Sequence, residues 1–217
     1  THPHQLAEHF LDQVSAMLAG KGVKVSGWQE VALNHSPELN ARIAPRFDGV
    51  YCWRTTGRSD IIPYTVANDG YGVILCNVSN FYLDLAYNSH KDEPGLIWGG
   101  YVDQFASYNM LPYNIYCSAR TDMAGNPKNL KKAHQGKVAL QPQARPRIKG
   151  IQAQLFAETL GSFEQAQYYI FPKIFGLVER GWNATPDWSP TPTDDKEALY
   201  EEARAIYNAK IAAVEMP

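Results

Sequence analysis

A chain of 217 residues with 45% hydrophobic and 19% charged residues is long enough for one sizeable domain with a full core, and too apolar for a disordered one. Its net charge is −2 and its longest basic run is Lys131-Lys132, which speaks against a nucleic-acid surface or a polybasic membrane surface. No apolar stretch reaches the roughly 18 residues that a membrane span requires.

The chain opens on Thr1 with no signal-peptide pattern, which reads as a processed or truncated end. Cys52, Cys76 and Cys117 are too few and too scattered for a disulfide framework or a zinc site, and are expected to be buried free thiols. His2, His4 and His9 lie near the N-terminus and read as solvated side chains; no metal or other cofactor is expected. Thirteen Tyr and five Trp are many for this length, and they supply the flat apolar faces that sugar sites use against pyranose C–H groups, as well as ordinary core material.

In chain order, Leu6, Phe10, Val14 and Met17/Leu18 recur every three or four residues and predict an amphipathic helix that Gly20 and Gly22 stop. Val23 to Trp28 reads as a short buried strand with Glu30 at its end. The Pro-containing stretch Leu33 to Phe47 reads as a loop with room for a short helix. Gly49 to Trp53 is a second strand, Ile61 to Asn68 a short helix ending at Gly70, and Gly72 to Val78 a third strand. From Phe81 to Gly150 the pattern weakens into a long functional loop with a helix near Asp103 to Asn109 and a polar, basic excursion over Asp122 to Arg147. Ile148 to Phe156 is a fourth strand, after which Ser162 and Gln165 form a capping-box pair at the start of a helix. A Pro-rich link over Trp188 to Thr193 leads to a final helix opened by Asp194 and Glu197, with Leu199, Ala203, Ile206 and Val214 on its apolar face.

Apolar strands separated by helices predict a parallel sheet covered on both faces. Four strands are too few for an eight-stranded barrel, so the pattern reads as about four strand–helix units, the C-terminal part of a TIM-type (β/α)8 barrel, with residues 1–217 as one domain. Each strand finishes in a Trp, a Tyr or an acid. Trp28, Trp53, Tyr82, Asp84 and Glu158 fall at or just past these ends, which suggests one sugar-binding mouth.

With the strand ends laid out, the chain resembles the family 20 glycoside hydrolases, the β-N-acetylhexosaminidases that include chitobiases. The matching pieces are Gly27-Trp28-Gln29-Glu30, Trp53, Tyr82-Leu83-Asp84, Trp98 in WGGYVD, and GIQAQLFAE followed by FPKIFGLVERGW, in the family's order and over nearly the whole chain. The resemblance implies hydrolysis of terminal β-linked N-acetylglucosamine or N-acetylgalactosamine, in which the substrate's acetamido oxygen attacks the anomeric carbon to give an oxazolinium ion. This departs from the usual scheme of two protein carboxylates. Trp28, Trp53 and Phe156 would wall the acetamido group, Tyr82 would donate to its oxygen, Asp84 and Glu158 would accept from sugar hydroxyls, and Trp98 would stack on the sugar. The partner implied is an N-acetylhexosamine-terminated glycan or chitooligosaccharide, and the location implied is periplasmic or secreted.

Three departures from the family pattern stand out. Phe156 replaces a Trp, keeping an apolar wall with less area. Lys173 replaces the Arg of FPR, a change expected to touch packing or a salt bridge rather than chemistry. The family's Gly-Gly-Asp-Glu acid–base motif has no counterpart; Asp92-Glu93, beside Pro94 in a loop, is a poor place for a desolvated acid. The chain therefore reads as a substrate pocket without its acid–base pair, inactive alone and prone to associate with itself or with the missing N-terminal half through open sheet edges. The other readings are a non-catalytic carbohydrate-binding protein derived from a barrel, and an unrelated barrel enzyme with aromatic-rich loops. Each site residue also has a purely structural reading: Trp28 and Trp53 as caps of a core, Tyr82 as a loop aromatic, Asp84 as a turn residue, Trp98 as a loop anchor and Glu158 as a helix cap.

Overall fold

Four short strands form one sheet whose order, β1-β2-β3-β4, repeats the chain order. A computed structural model describes residues 3–214; His2 and Thr1 lie outside the described residues. The chain divides into two compact units. The first comprises Thr1–Trp53, Ile61–Leu75 and Val138–Gly150; the second comprises Arg54–Asp60, Cys76–Lys137 and Ile151–Pro217.

In the first unit, α1 (Pro3–Ala19) leads to β1 (Val25–Trp28), α2 (Pro37–Ile43), β2 (Phe47–Cys52), α3 (Ile62–Asn68) and β3 (Val73–Leu75). The sequence Ser36-Pro37 starts α2 for two reasons: the Ser36 hydroxyl accepts from the Leu39 N–H, and proline at the first turn lacks only an N–H that no helical partner would use. Strand β2 pairs parallel with β1, placing Trp28 opposite Tyr51, and parallel with β3, placing Val50 opposite Val73. Val50, Cys52, Val73 and Leu75 have no solvent exposure, as expected for apolar parallel strands that connect through helices. Gly49 and Gly72 sit where a side chain would strike Ile74 and the Lys149 stem respectively.

The first, third and fourth strands are shorter than the periodicity predicts, whereas the second begins two residues earlier and ends one residue earlier than expected. The third stops at Leu75 because Asn77 opens a one-turn helix, α4 (Val78–Phe81), in the second unit. After α5 (Gln104–Tyr108), β4 covers only Ile148–Ile151, and the extended chain beyond it returns to pairing as a single parallel bridge, Tyr82 with Gln154. The apolar stripe of α1 also behaves differently from expectation. Leu6, Phe10 and Met17 are 63%, 68% and 56% exposed, and the helix is held instead by Asp12, which receives bidentate donation from Arg42 and a 2.7 Å contact from Arg46.

The second unit continues with α6 (Phe163–Ile170), α7 (Ile174–Trp182) and α8 (Glu197–Ala212). Its core packs Tyr108, Leu111, Cys117, Leu130, Trp188, Tyr200 and Tyr207 together, with Tyr108 stacked between Tyr207 at 4.2 Å and Trp188 at 5.3 Å. The buried face of α8 is thus Tyr200, Tyr207 and Ile211; of the predicted face, Ala203 packs half-buried against this core while Leu199, Ile206 and Val214 are exposed, because the larger aromatic side chains win the core. Asp194 does not cap this helix; its carboxylate accepts from the Lys196 N–H in a preceding turn. Ser162 does cap α6, accepting from the Gln165 N–H at 3.1 Å. Trp188 is a core anchor, whereas Trp182 is 91% exposed. No helix among the described residues is long and apolar enough to cross a membrane.

Candidate functional site

In the second unit the end of α4 and the turn after it, Phe81–Leu85, lie beside Gln154–Phe156, joined by the single parallel bridge of Tyr82 with Gln154. Leu83 N–H donates to Gln154 O at 2.9 Å, and Gln154 N–H donates to Phe81 O at 2.8 Å. Five of the predicted site residues gather here, Tyr82, Asp84, Trp98, Phe156 and Glu158. The ring of Tyr82 lies 5.2 Å from Phe156 and 5.7 Å from Trp98, so Tyr82 is only 4% exposed beneath two aromatics that are themselves 39% and 47% exposed. Asp84 is buried, and its Oδ1 accepts the Phe156 N–H at 3.1 Å. Glu158, exposed two residues further on, is close enough for its charge to act on Asp84.

The electrostatics of Asp84 follow from that placement. Burial pushes its carboxyl above the ordinary carboxylate range, the Phe156 N–H pulls it down, Glu158 pushes it further up and Lys173 opposes. A buried carboxylate with one lateral backbone donor is suited to accept strong hydrogen bonds from hydroxyl groups, because a desolvated acceptor gains more from each bond than a hydrated one.

In the first unit, Trp28 and Trp53 close adjacent strands. The buried side chain of Gln29 accepts the Trp53 backbone N–H at 3.0 Å, and Glu30 accepts the Trp53 indole N–H at 3.1 Å. Trp28 is 42% exposed and meets Tyr51 edge-on at 5.9 Å. The GWQE run thus serves its own unit: Gln29 and Glu30 fix the orientation of the neighbouring indole.

Two further residues take structural roles beside this group. Lys173 sits just before α7 with no solvent exposure, and among the described residues it forms no ion pair. Its Nζ donates at 2.7 Å to both Leu83 O and Leu85 O, on either side of Asp84, and lies 3.8 Å over the Tyr87 ring. Of the two expectations for this position, packing or a salt bridge, the structure shows packing: Lys173 is a buried clamp beside the candidate site. The available signal was a lone cation inside the apolar run FPKIFG. Glu93, of the Asp92-Glu93 pair, accepts the Tyr168 hydroxyl at 2.8 Å and the Tyr87 N–H at 3.2 Å, a structural clasp that gives the pair a use other than acid catalysis.

The three cysteines are buried free thiols, and burial raises Cys76 and Cys117 to about 11, far from the range of a reactive thiolate. Among the described residues no cluster of His, Cys, Asp or Glu could hold a metal ion. A separate open groove of about 1390 Å³ in the second unit is lined by residues such as Tyr101, Asn109, Arg120 and Tyr200, and by none of the seven predicted site residues.

Comparison with known proteins gives this geometry a family. The model of the glycosyl hydrolase family 20 catalytic domain matches residues 1–185. The N,N'-diacetylchitobiase of Vibrio harveyi is 29% identical over 192 residues, covering 84% of this chain and 20% of that protein. Beta-hexosaminidase B of Pseudoalteromonas piscicida is 24% identical over 214 residues, covering 94% of this chain and 26% of that protein. Among solved structures, the family 20 exo-β-N-acetylglucosaminidase of Vibrio harveyi in complex with N-acetylglucosamine superposes with a TM-score of 0.60 at 22% identity, covering 97% of this chain and 27% of that one. The structural likeness shows a TIM-barrel-like fold, and the chain spans between 20% and 26% of the length of the two curated relatives. With the catalytic-domain model matched over residues 1–185, this chain belongs to glycosyl hydrolase family 20.

Proposed function

We propose that the chain is the C-terminal part of a β-N-acetylhexosaminidase barrel, residues 1–217 forming one piece of that domain, and that it supplies a substrate pocket without the acid–base pair. The observation that carries the reading is the grouping of Tyr82, Asp84, Phe156 and Glu158 around the Tyr82–Gln154 bridge, under Trp98. Strand order following chain order supports a barrel segment, and the sequence holds no Gly-Gly-Asp-Glu run.

In this reading the Tyr82 hydroxyl donates to the acetamido oxygen of a terminal N-acetylhexosamine and stabilises the charge that develops as that oxygen closes onto the anomeric carbon. The bond from the anomeric carbon to the leaving oxygen breaks as the ring closes, and the leaving oxygen takes its proton from a Glu outside this chain. Asp84 and Glu158 accept from sugar hydroxyls, Phe156 supplies an apolar wall and Trp98 a stacking face. The same wall role for Trp28 and Trp53 rests on the family resemblance of the GWQE run and of the strand-closing Trp. The V. harveyi structure was solved with N-acetylglucosamine, which supports an N-acetylhexosamine-terminated glycan or chitooligosaccharide as the partner. A periplasmic or secreted location rests on the resemblance alone, and fractionation of the source cells tests it.

The test is hydrolysis by the full-length gene product of an aryl N-acetyl-β-glucosaminide against the plain aryl β-glucoside. The reading expects turnover of the first only, and a lower kcat for Tyr82→Phe. Equal turnover of both glycosides overturns it, and sugar binding without turnover assigns the protein to the non-catalytic class.

A further inference from the structure

Lys173 is the most deeply buried cation near the candidate site, with no solvent exposure, and a lysine is seldom buried without partners that use its donors. Its partners here are the two carbonyls that bracket one residue. Nζ donates to Leu83 O and to Leu85 O, both at 2.7 Å, so the carbonyls of the residues before and after Asp84 hang from a single nitrogen. The charged groups that face it are Glu93, Asp84 and Asp103, and the rings of Tyr87 and Tyr169 lie 3.8 and 5.8 Å away.

The lysine is itself pinned. Its own carbonyl accepts the Ser107 hydroxyl at 2.6 Å from α5, and Gly176, one turn into α7, lets the two helices approach closely enough for that bond. Leu83 N–H and the Phe156 N–H also tie the same segment to the extended chain at Gln154–Phe156. The Asp84 segment is thus held by two sets of bonds, one to the Gln154–Phe156 chain and one to Lys173.

We infer that Lys173 is a positioning residue for Asp84, holding the Leu83 and Leu85 carbonyls so that the carboxylate keeps its bond to the Phe156 N–H and presents a fixed face to a sugar hydroxyl. The sugar-facing half of this statement rests on the reading of Asp84 proposed above. The clamp does not depend on the charge. Burial lowers the ammonium to about 7, and the neutral amine retains two N–H donors, enough for both carbonyls. Arginine, which the family resemblance expects at this place, offers donors from two nitrogens of a planar fork and can span the same pair of carbonyls.

The experiment compares the whole chain with Lys173→Met and Lys173→Arg by ¹⁵N NMR. Amide exchange at Phe156 reports the Asp84 bond, and exchange at Val50, which donates to Gly72 O at 2.8 Å in the first unit, reports the fold. Lys173→Met is expected to speed Phe156 exchange by about tenfold or more with Val50 unchanged, and Lys173→Arg to restore it. Unchanged Phe156 exchange in Lys173→Met overturns the inference, as does an equal rise at Val50, which is a general loss of fold. Lys173→Leu, which likewise removes every donor, is read in the same way if the methionine variant does not fold. Titration with N-acetylglucosamine then separates the two claims. Weaker binding in Lys173→Met, rescued by arginine, supports both. Absence of binding in the unsubstituted chain removes the sugar reading of Asp84, while the exchange result still decides the clamp.

Discussion

Replacing Gly176 by alanine drives a methyl group into the backbone of α5. The added carbon would stand 2.2 Å from Ser107 Oγ, 2.3 Å from Tyr108 N and 2.6 Å from Ser107 C. Two of these are backbone atoms, and the hydroxyl is held by the carbonyls of Lys173 and Gln104, so no side-chain rotation clears the space. The two helices must part. Overpacking of this kind costs roughly 1–3 kcal/mol, and more when backbone moves; the gain in helix propensity returns about 1 kcal/mol. The expected net loss is about 2 kcal/mol, a fall of about 1 M in the urea midpoint followed by tryptophan fluorescence. Gly181, five residues on in the same helix, is the internal control, because a carbon built there meets nothing within 4 Å. Gly181→Ala is expected to raise stability by up to ~1 kcal/mol. The reasoning is refuted if Gly176→Ala is as stable as the parent chain, or if the two substitutions shift the midpoint in the same direction.

Further predictions concern charge and surface. Lys173 releases its proton at about 7 in the folded chain and near 10.5 when unfolded, so the unfolded state binds more protons between those values and stability rises with pH across that window. The gain is roughly 2 kcal/mol from pH 7 to pH 9, read from urea midpoints, and Lys173→Met should abolish it. Asp84 has the opposite sign. Its folded carboxyl is held above its ordinary value, so it detracts from stability once pH exceeds that value, and Asp84→Asn should leave the chain as stable or more stable at pH 7 while weakening sugar binding. A less stable Asp84→Asn chain contradicts the burial argument. The exposed stripe of Leu6, Phe10 and Met17 on α1 should promote association at high concentration, and Phe10→Glu should reduce it; sedimentation of the parent chain as a clean monomer counts against this.

Much of this architecture was legible because its signals are local. Ser162 with Gln165, Asp103 at the head of α5, and the apolar runs around Val50 and Val73 each carry their own physical reason, and each appears where that reason puts it. What escaped was decided by competition or by distance along the chain. The stripe Leu199, Ala203, Ile206 and Val214 is a sound helical period, yet only Ala203 packs on the core, because α8 turns Tyr207 onto Tyr108, 99 residues upstream, and Tyr200 onto the edge of Trp188. The stripe on α1 is equally periodic and lies exposed. At the candidate site, the pairing of Phe81–Leu85 with Gln154–Phe156 brings Tyr82 and Asp84 to Phe156, and the matched order of motifs anticipated that grouping. The packing role expected of Lys173 carried no sign of its partners, because a cation after FP does not reveal the carbonyls it will meet some ninety residues upstream. Its role depends on a helix contact through Gly176 that no local pattern encodes.

The most direct test of the central claim is NMR titration of this chain with N-acetylglucosamine and, separately, with glucose, following the backbone amides of Phe156 and Leu85. The account predicts saturable shifts at both amides with N-acetylglucosamine and much weaker ones with glucose, since only the former carries the acetamido group that Tyr82 and Phe156 are proposed to receive. Equal responses to the two sugars, or shifts confined to residues away from Tyr82, Asp84 and Phe156, would contradict it.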